Sequence, residues 1–494
     1  MNRKSLLTFL FVASVVVQPS LCSAQVELRS GYAGQLATCC VVTADFNRDG
    51  VVDLAVGAFE GSFGVQVFLG RGDGTFGPPV AYAPGSGANA LATADLNHDG
   101  NPDIVIANVT GDSVTVLLGN GDGTFQAPVE YSTPSLPVSV VLGDFNSDGK
   151  LDIAAAIQGD YYSSCFCVAV LPGNGDGSFR EPAIITYLPS GAGPLALTAG
   201  HFNGDGDLDL ALTENFTSSS AAQILLGNGD GSFSLGASYT LDGFYPQSIV
   251  AADLRNNGKT DLAVAESEGG ALAVLLGNGD GTFERPVRYS DGSGFPWTVA
   301  VGDMNGDGIP DLVSAPTVIA DNLFYSAVYI FPGKGDGTFG SPEISYPAAY
   351  NSSPQGLALA DFNGDHQLDL TFADEDGFSE HNGDSEYVLL NTGTVKFSPI
   401  DLLDFTNQKR GTTSPPQTVT LTNEGKATLS ISSIKTTGEF GATSTCGKGV
   451  AAKASCTISV TFSPKGTGEM SGTVEINDSA SSKPQVIALS GRGY

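Results

Sequence analysis

The residues with the plainest chemistry in this chain are aspartates and asparagines set at fixed intervals. The first group reads Asp45-Phe46-Asn47-Arg48-Asp49-Gly50-Val51-Val52-Asp53-Leu54, with side-chain oxygens at positions 1, 3, 5 and 9 and glycine at position 6. A hard divalent cation such as calcium takes several oxygen ligands, and glycine permits the sharp turn that folds a short loop around it. The pattern or a close variant starts seven times, at Asp45, Asp95, Asp144, His201, Asp253, Asp303 and Asp361, at spacings of 49 to 58 residues. A single copy would pass for a plain Asx/Gly turn. Seven in register point to metal.

The copies are not equal. Four carry the full set: Asp45/Asn47/Asp49/Asp53, Asp95/Asn97/Asp99/Asp103, Asp144/Asn146/Asp148/Asp152 and Asp303/Asn305/Asp307/Asp311. The seventh keeps Asp361, Asn363, Asp365 and Asp369 but has His366 in place of the glycine. The fourth starts on His201, a poor calcium ligand, and retains Asn203, Asp205 and Asp209 together with Asp207. In the fifth, Asp253 and Asp261 survive while Arg255 and Asn257 occupy ligand positions and Lys259 follows at position 7. About five or six Ca2+ per chain are expected, with the fifth loop metal-free and Arg255 or Lys259 supplying its positive charge. Carboxylates gathered this closely repel one another, so the ion's expected role is structural.

The elements that position these loops read as strands. An apolar segment such as Leu91-Ala92-Thr93-Ala94 runs into an acidic loop, and Ile104-Val105-Ile106-Ala107 follows it. Ser113 to Leu118 then leads to Gly119-Asn120-Gly121-Asp122-Gly123-Thr124-Phe125, and a further strand begins near Pro128-Val129. Short strands between Gly/Asn/Asp turns form a meander, and four strands in each of seven units describe a seven-bladed β-propeller. The glycine-rich segments end at Phe76, Phe125, Phe179, Phe233, Phe283 and Phe339 and decay at Asn391 to Phe397 in the last unit. They lack the lysine and the strand-loop-helix context of phosphate loops, so they read as tight hairpins whose phenylalanine packs between blades. Arg71-Gly72-Asp73 spells an integrin-recognition tripeptide where other copies have Asn-Gly-Asp, and drift from the repeat accounts for it.

Charge divides the chain. Residues 1–400 hold 46 acids and 13 bases, a balance of −33, whereas residues 401–494 hold 7 acids and 9 bases, a balance of +2. A sign so negative excludes phosphate neutralisation and hence nucleic acid as a partner. Met1-Asn2-Arg3-Lys4, an apolar run from Leu6 to Val17 and the small pair Ser23-Ala24 make residues 1–24 a signal peptide. Nothing after it is long and apolar enough to span a bilayer. The expected product is a secreted or cell-surface monomer. Export permits disulfides: Cys446 and Cys456 flank one loop and are expected to pair, while partners for Cys39, Cys40, Cys165 and Cys167 stay open.

The acidic loop followed by Leu-Leu-Gly-Asn-Gly-Asp-Gly-Thr-Phe resembles the FG-GAP/VCBS repeats of bacterial surface proteins and integrin α-chain propellers, over roughly residues 26–400. That resemblance implies a calcium-binding propeller used for adhesion or ligand binding. It also implies that an N-terminal segment, here Val26 to Ser30, closes the last blade as its outermost strand. From 401 to 494 apolar and polar residues alternate, as in Val419/Leu421 and Ile458/Val460/Phe462, which is β-sandwich patterning. With Thr-Val-Thr-Leu-Thr-Asn-Glu-Gly at 418–425, this tail resembles the immunoglobulin-like abnormal-spindle/hydin-type domain. The expected architecture is all-β: a seven-bladed propeller over 25–400 and a small immunoglobulin-like sandwich over 401–494.

Loops between strands 2 and 3 and between units should share the face opposite the acidic turns, and three of them, at 157–166, 316–326 and 373–385, are enlarged. Aromatic residues gather there, among them Tyr161, Tyr162, Tyr245, Trp297 and Tyr325. Exposed rings suit sugar stacking and protein hot spots, so a glycan or an extracellular protein is the expected ligand. The alternative is a calcium-dependent polysaccharide-active enzyme of lyase or hydratase type on the same propeller. Against it, the chain has four histidines, three of them in different acidic loops, and no Gly-x-Ser-x-Gly, His-Glu-x-x-His or Ser-x-x-Lys motif. A binding module, not an enzyme, is expected.

Overall fold

The computed structural model describes residues 26–33, 38–59, 64–82, 87–159, 165–181, 183–189, 193–216, 219–290, 294–320, 323–350, 354–374, 384–391, 395–398, 403–423, 428–478 and 485–494. The signal peptide expected at 1–24 lies outside them, as do Tyr161 and Tyr162. Every regular element among the described residues is a β-strand. No helix there is long and apolar enough to cross a membrane.

Among the described residues up to 391 the strands form seven four-stranded antiparallel sheets, six of them built from one copy of the repeat each and the seventh completed by an N-terminal strand. In the second sheet the first strand, Ala88–Ala94, ends at the acidic turn, and Asp103–Asn108 begins on the position-9 aspartate. Ser113–Leu117 and a short, mostly exposed Val129–Ser132 complete it. The second and third strands are buried along their length, which explains their unbroken apolar runs. Alternate residues serve two neighbours: Ile104 and Ile106 pack with Phe46 and Ala55 of the first sheet, Val105 and Ala107 with Val140 and Ile153 of the third. The core therefore lies between sheets.

The first strand of each sheet lies against the first strand of the next, and Pro354–Ala360 of the seventh lies against Thr38–Ala44 of the first. The N-terminal strand is longer than expected, Val26–Ala33. It pairs antiparallel with Asp384–Asn391 as the outermost member of the seventh sheet. Because that place is taken by the start of the chain, the stretch read as a decayed seventh hairpin goes elsewhere: Val395–Ser398 pairs with Gln417–Asn423. Val395–Ser398, ahead of the boundary expected at 401, thus joins a sheet of the tail.

The tail packs a four-stranded sheet, Val395–Ser398, Gln417–Asn423, Ser455–Phe462 and Phe440–Ser444 in spatial order, with a second sheet that contains Leu403–Gln408, Gln485–Gly493, Gly468–Asp478 and Leu429–Thr436. Val419, Leu421, Ile458, Val460, Phe462, Val474 and Ile476 form its core, as their alternation predicts. Cys446 pairs with Cys456 as expected, and Cys39–Cys40 and Cys165–Cys167 are also joined.

Candidate functional site

The acidic turns share one build. In the first, Asp45 Oδ1 accepts the Asp49 amide at 3.1 Å and Oδ2 the Gly50 amide at 2.9 Å. Asn47 Oδ1 accepts the same Asp49 amide at 2.9 Å, so the oxygens of positions 1 and 3 meet at one nitrogen. Asp49 Oδ1 accepts the Val51 amide at 2.8 Å.

The other full turns repeat these bonds. Asp95 and Asn97 both accept the Asp99 amide, and Asp99 accepts Asn101 at 2.8 Å. Asp144 and Asn146 share the Asp148 amide, and Asp148 accepts Lys150 at 3.1 Å. Asp303 and Asn305 share the Asp307 amide, and Asp307 accepts Ile309 at 2.9 Å. Asp361 and Asn363 share the Asp365 amide, and Asp365 accepts Gln367 at 2.9 Å. His366 takes the glycine position of this seventh turn with φ +69° and donates its amide to Asp361 Oδ2. In the fourth, Asn203 accepts Asp205 and Asp205 accepts Asp207, while His201 Nδ1 donates to the Asp207 carbonyl at 2.9 Å, a contact no aspartate could make.

Position 4 carries a signal absent from the sequence reading. Arg48, His98, Ser147 and Asn256 hold left-handed φ of 51° to 59°, and the other three turns have glycine there. Three of the four side chains reach the neighbouring turn: Arg48 Nη1 to Asn101 Oδ1, Ser147 Oγ to Asp207 Oδ1 and Asn256 Nδ2 to the Gly308 carbonyl.

Position 9 differs from positions 1, 3 and 5. Asp53, Asp103, Asp152, Asp209, Asp311 and Asp369 are fully buried. Each accepts the amide of position 2 on one oxygen and, on the other, an amide at the end of the third strand or just beyond it. For Asp53 these are Phe46 at 2.8 Å and Gly70 at 2.7 Å, and for Asp369 Phe362 at 2.9 Å and Asn391 at 2.7 Å. In the first six sheets one carboxylate thus ties the acidic turn to the glycine-rich hairpin, which puts both on one face. Burial pushes Asp53, Asp103, Asp152 and Asp311 up to about 6 and Asp369 up to about 8. The two amides oppose that shift, and the aspartates at positions 5 and 1 add to it. Asp209 is raised by the same burial.

The fifth turn is the exception. Arg255 Nη2 and Nε bond Asp261 Oδ1 and Oδ2 at 2.6 and 3.1 Å, and Nη2 also donates to the Gly277 carbonyl at 2.6 Å. Arg255, and not Lys259, places its positive charge on Asp261.

Among the described residues no three His, Cys, Asp or Glu side chains are gathered closely enough to hold an ion. This covers Asp45, Asp49 and Asp53; Asp95, Asp99 and Asp103; Asp144, Asp148 and Asp152; Asp205 and Asp209; Asp303, Asp307 and Asp311; and Asp361, Asp365 and Asp369. The turn's own amides donate to these carboxylates, and a bare cluster of them would repel itself. The asparagines turn their amide nitrogens toward the acids as substitutes for positive charge. Asn47 donates to Asp49 and Asn97 to Asp99, both at 3.0 Å, and Asn203 to Asp205 at 2.7 Å. Asn146 donates instead to Asp152 at 3.3 Å, and Asn305 to Asp311 at 3.5 Å. Asp148 also lies 3.6 Å from Arg180 and 3.9 Å from Lys150. These oxygens are nonetheless the hard donors that calcium takes, and the buried, cation-poor position-9 carboxylates fit a positive neighbour.

Hairpins join neighbouring sheets. Gly123 donates its amide to the Phe46 carbonyl, Gly231 to Phe145, Gly281 to Phe202, and Gly74 to Phe362 of the seventh sheet. Phe125 meets Phe46 edge-on at 5.5 Å, and Phe76 meets Phe362 at 5.7 Å, so the hairpin phenylalanines pack between sheets as expected. Asp73 of the Arg-Gly-Asp tripeptide accepts Thr75 at its amide and hydroxyl, as Asp122 does from Thr124.

The rim residues lie at the other end of the first strands. Tyr245 is 45% exposed with φ +52°, eight residues before Asp253, and Phe244 beside it is 41% exposed. Trp297 is half-buried and its indole N–H donates to Thr317 Oγ1 at 3.2 Å. The backbone of Tyr325 pairs with Val318 and Tyr350. Nearby, a cleft of about 410 Å³ is lined by Ser238, Tyr239, Thr240, Asp242, Arg285 and Pro286. Two acids missed in the sequence reading, Glu214 and Glu266, are buried at equivalent points of the fourth and fifth sheets. Arg288 bonds Glu266 at 2.6 Å, and burial alone raises Glu214 to about 7.

FG-GAP-like repeats match residues 45–106, 95–155, 201–264 and 253–314, and a HYDIN/CFA65/VesB-like, Ig-like domain matches 393–492. No curated protein matches the chain. Among solved structures it is similar to the V. cholerae biofilm matrix protein Bap1, at 15% identity and a TM-score of 0.39 over 75% of this chain and 91% of that one. A Lactobacillus plantarum protein gives 16% identity and 0.45 over 64% and 87%. The Pseudomonas aeruginosa periplasmic gluconolactonase PpgL gives 17% and 0.37 over 60% and 98%. Likeness at this level bears on no activity.

Proposed function

We propose, for a chain that carries FG-GAP-like repeats and a HYDIN/CFA65/VesB-like Ig-like domain, a closed seven-bladed propeller that holds calcium in its acidic turns and works outside the cell as a ligand-binding or adhesion module. Closure is supported by the joint between the first and seventh sheets. There the Gly74–Phe362 bond and the Phe76–Phe362 contact repeat the joints made between other neighbouring sheets.

The observation that carries the cation reading is the contrast at position 9. Six buried carboxylates have no cationic partner among the described residues, and the seventh, Asp261, is held by a guanidinium. Calcium would be held by the oxygens at positions 1, 3 and 5 beside position 9 of turns 1, 2, 3, 6 and 7, with Asn203, Asp205 and Asp209 offering a weaker set in turn 4. It would supply positive charge and nothing else. The turns' own residues do the remaining work: position 1 folds the loop, and position 9 ties it to the hairpin. Exposed Tyr245, held in a backbone conformation that costs a non-glycine residue about 1 kcal/mol, favours the rim as the place where a glycan or extracellular protein binds.

Calorimetric titration of chelator-treated protein with calcium, followed by a glycan array in calcium, tests this. Five or six ions, a raised melting temperature and glycan binding without turnover are expected. A chain that takes up no calcium refutes the cation reading, and turnover of a bound glycan refutes the binding-module reading.

A further inference from the structure

We infer that Arg255 is a tethered cation: the fifth turn has the build of the others, with its ion replaced by its own guanidinium, and removing that group opens a divalent-cation site. This rests on the reading of the other turns as calcium sites. The frame of the turn is intact. Asp253 Oδ1 accepts the Asn257 amide at 3.0 Å and Oδ2 the Gly258 amide at 2.6 Å, while Asn256 and Gly258 keep φ of +51° and +77°. Asp261 still accepts Leu254 at 3.2 Å and Gly277 at 2.7 Å. Only the side chains at positions 3 and 5 depart, and both depart in the same electrostatic direction.

In the first turn Asp45, Asp49 and Asp53 sum to −3; in the fifth Asp253, Asp261 and Arg255 sum to −1. One acid is lost and one base gained, which is compensation and not decay. The guanidinium also bridges what an ion would bridge. It reaches both oxygens of the fully buried Asp261 and the carbonyl of Gly277, so turn, second strand and hairpin are joined by one fork. Its side chain is 16% exposed, and its stem packs beneath the next hairpin, where a Cβ on Gly337 would come within 3.2 Å of Arg255 Cδ. The turn is left with a net charge of −1, against −3 in the first turn. The fifth turn is therefore the one whose hydrogen bonds survive chelation.

Amide hydrogen exchange on the full chain, with and without chelator, reads this without any substitution. Peptides covering 45–54, 95–104, 144–153 and 303–312 should exchange ~tenfold faster or more once calcium is removed, and the peptide covering 253–262 should not change. Equal acceleration at 253–262 overturns the inference and leaves the calcium reading intact. If no peptide responds, the calcium reading falls and the inference with it.

The reciprocal test is Arg255→Asn combined with Asn257→Asp, which restores the Asp-x-Asn-x-Asp-Gly order. Prepared in calcium, this variant should bind one ion more per chain than the parent, by titration and by metal analysis. It should also lose protection at 253–262 when chelated. A folded variant with the parent's stoichiometry, or a parent that already fills all seven turns, overturns the proposal.

Discussion

Replacing Asp103 with alanine is expected to destabilise the protein even after all divalent ions are removed. Asp103 Oδ2 accepts the Leu96 amide at 2.8 Å and Oδ1 the Gly119 amide at 2.7 Å, and the residue has no exposed surface. A hydrogen bond to a charged group contributes about 1.5–3 kcal/mol, and alanine would leave both amides buried without an acceptor. Two such bonds amount to about 3–6 kcal/mol. Against this, alanine removes the cost of burying the carboxylate, the cost that pushes Asp103 up to about 6. The balance is a loss of about 2–4 kcal/mol. Urea unfolding of parent and Asp103→Ala, both in chelator, measures it through the shift of the midpoint at constant slope. If the two unfold within about 0.5 kcal/mol of each other in chelator and separate only with calcium, position 9 serves the ion alone and the staple argument is refuted.

Other outcomes follow from individual contacts. Glu214 is raised from its ordinary range to about 7, so the folded state favours its protonated form; that contribution is complete below about pH 4.5 and is lost as pH rises through 7. Glu214→Gln should match the parent near pH 4.5 and exceed it at pH 8 by on the order of 3 kcal/mol in urea melts, and equal stability at pH 8 contradicts the assignment. Phe125→Ala, which removes a ring lodged between Phe46 and Tyr82, should cost about 3–5 kcal/mol, and a loss below about 1 kcal/mol would mean that the joint between sheets is not packed. Converting Cys446 and Cys456 to serine opens a crosslink across a separation of 10 residues and should cost about 3 kcal/mol, seen as earlier unfolding of the tail. Tyr245→Gly should raise stability by about 1 kcal/mol by relieving the φ of +52° while abolishing array binding; unchanged binding would remove Tyr245 from the ligand surface.

Much of this was legible because the repeat is punctuated. Asp, Asn and Gly at fixed offsets mark the turns, and every second strand begins on the position-9 aspartate that the pattern names. What that aspartate does was not legible, since an ion and two backbone amides ask for the same carboxylate. The same competition hid the posture of Asn97, whose oxygen and nitrogen both serve Asp99, and of Asn146, whose oxygen accepts from Asp148 while its nitrogen donates to Asp152. Position 4 was hidden for a different reason. Arg48, His98, Ser147 and Asn256 share a backbone conformation and no side-chain chemistry, so no residue type announces it. Glu214 and Glu266 look like surface residues within their strands, and only the neighbouring sheet buries them. The pairing of Val395–Ser398 with the tail has a topological cause: the segment continues the repeat in sequence, but its place in the seventh sheet is filled by Val26–Ala33.

That filled place has a consequence for biogenesis. Val26–Ala33 is synthesised before every other described strand, yet its partner, Asp384–Asn391, follows more than 350 residues later. Until then the strand is a solitary ribbon and the last sheet does not exist. A chain trimmed past Ala33 would keep Asp384–Asn391 as a raw edge, and the handiest strand to cover it would come from another trimmed or unfinished copy. Proteolysis at the amino end should therefore show first as dimers and larger species, well before any blade is lost.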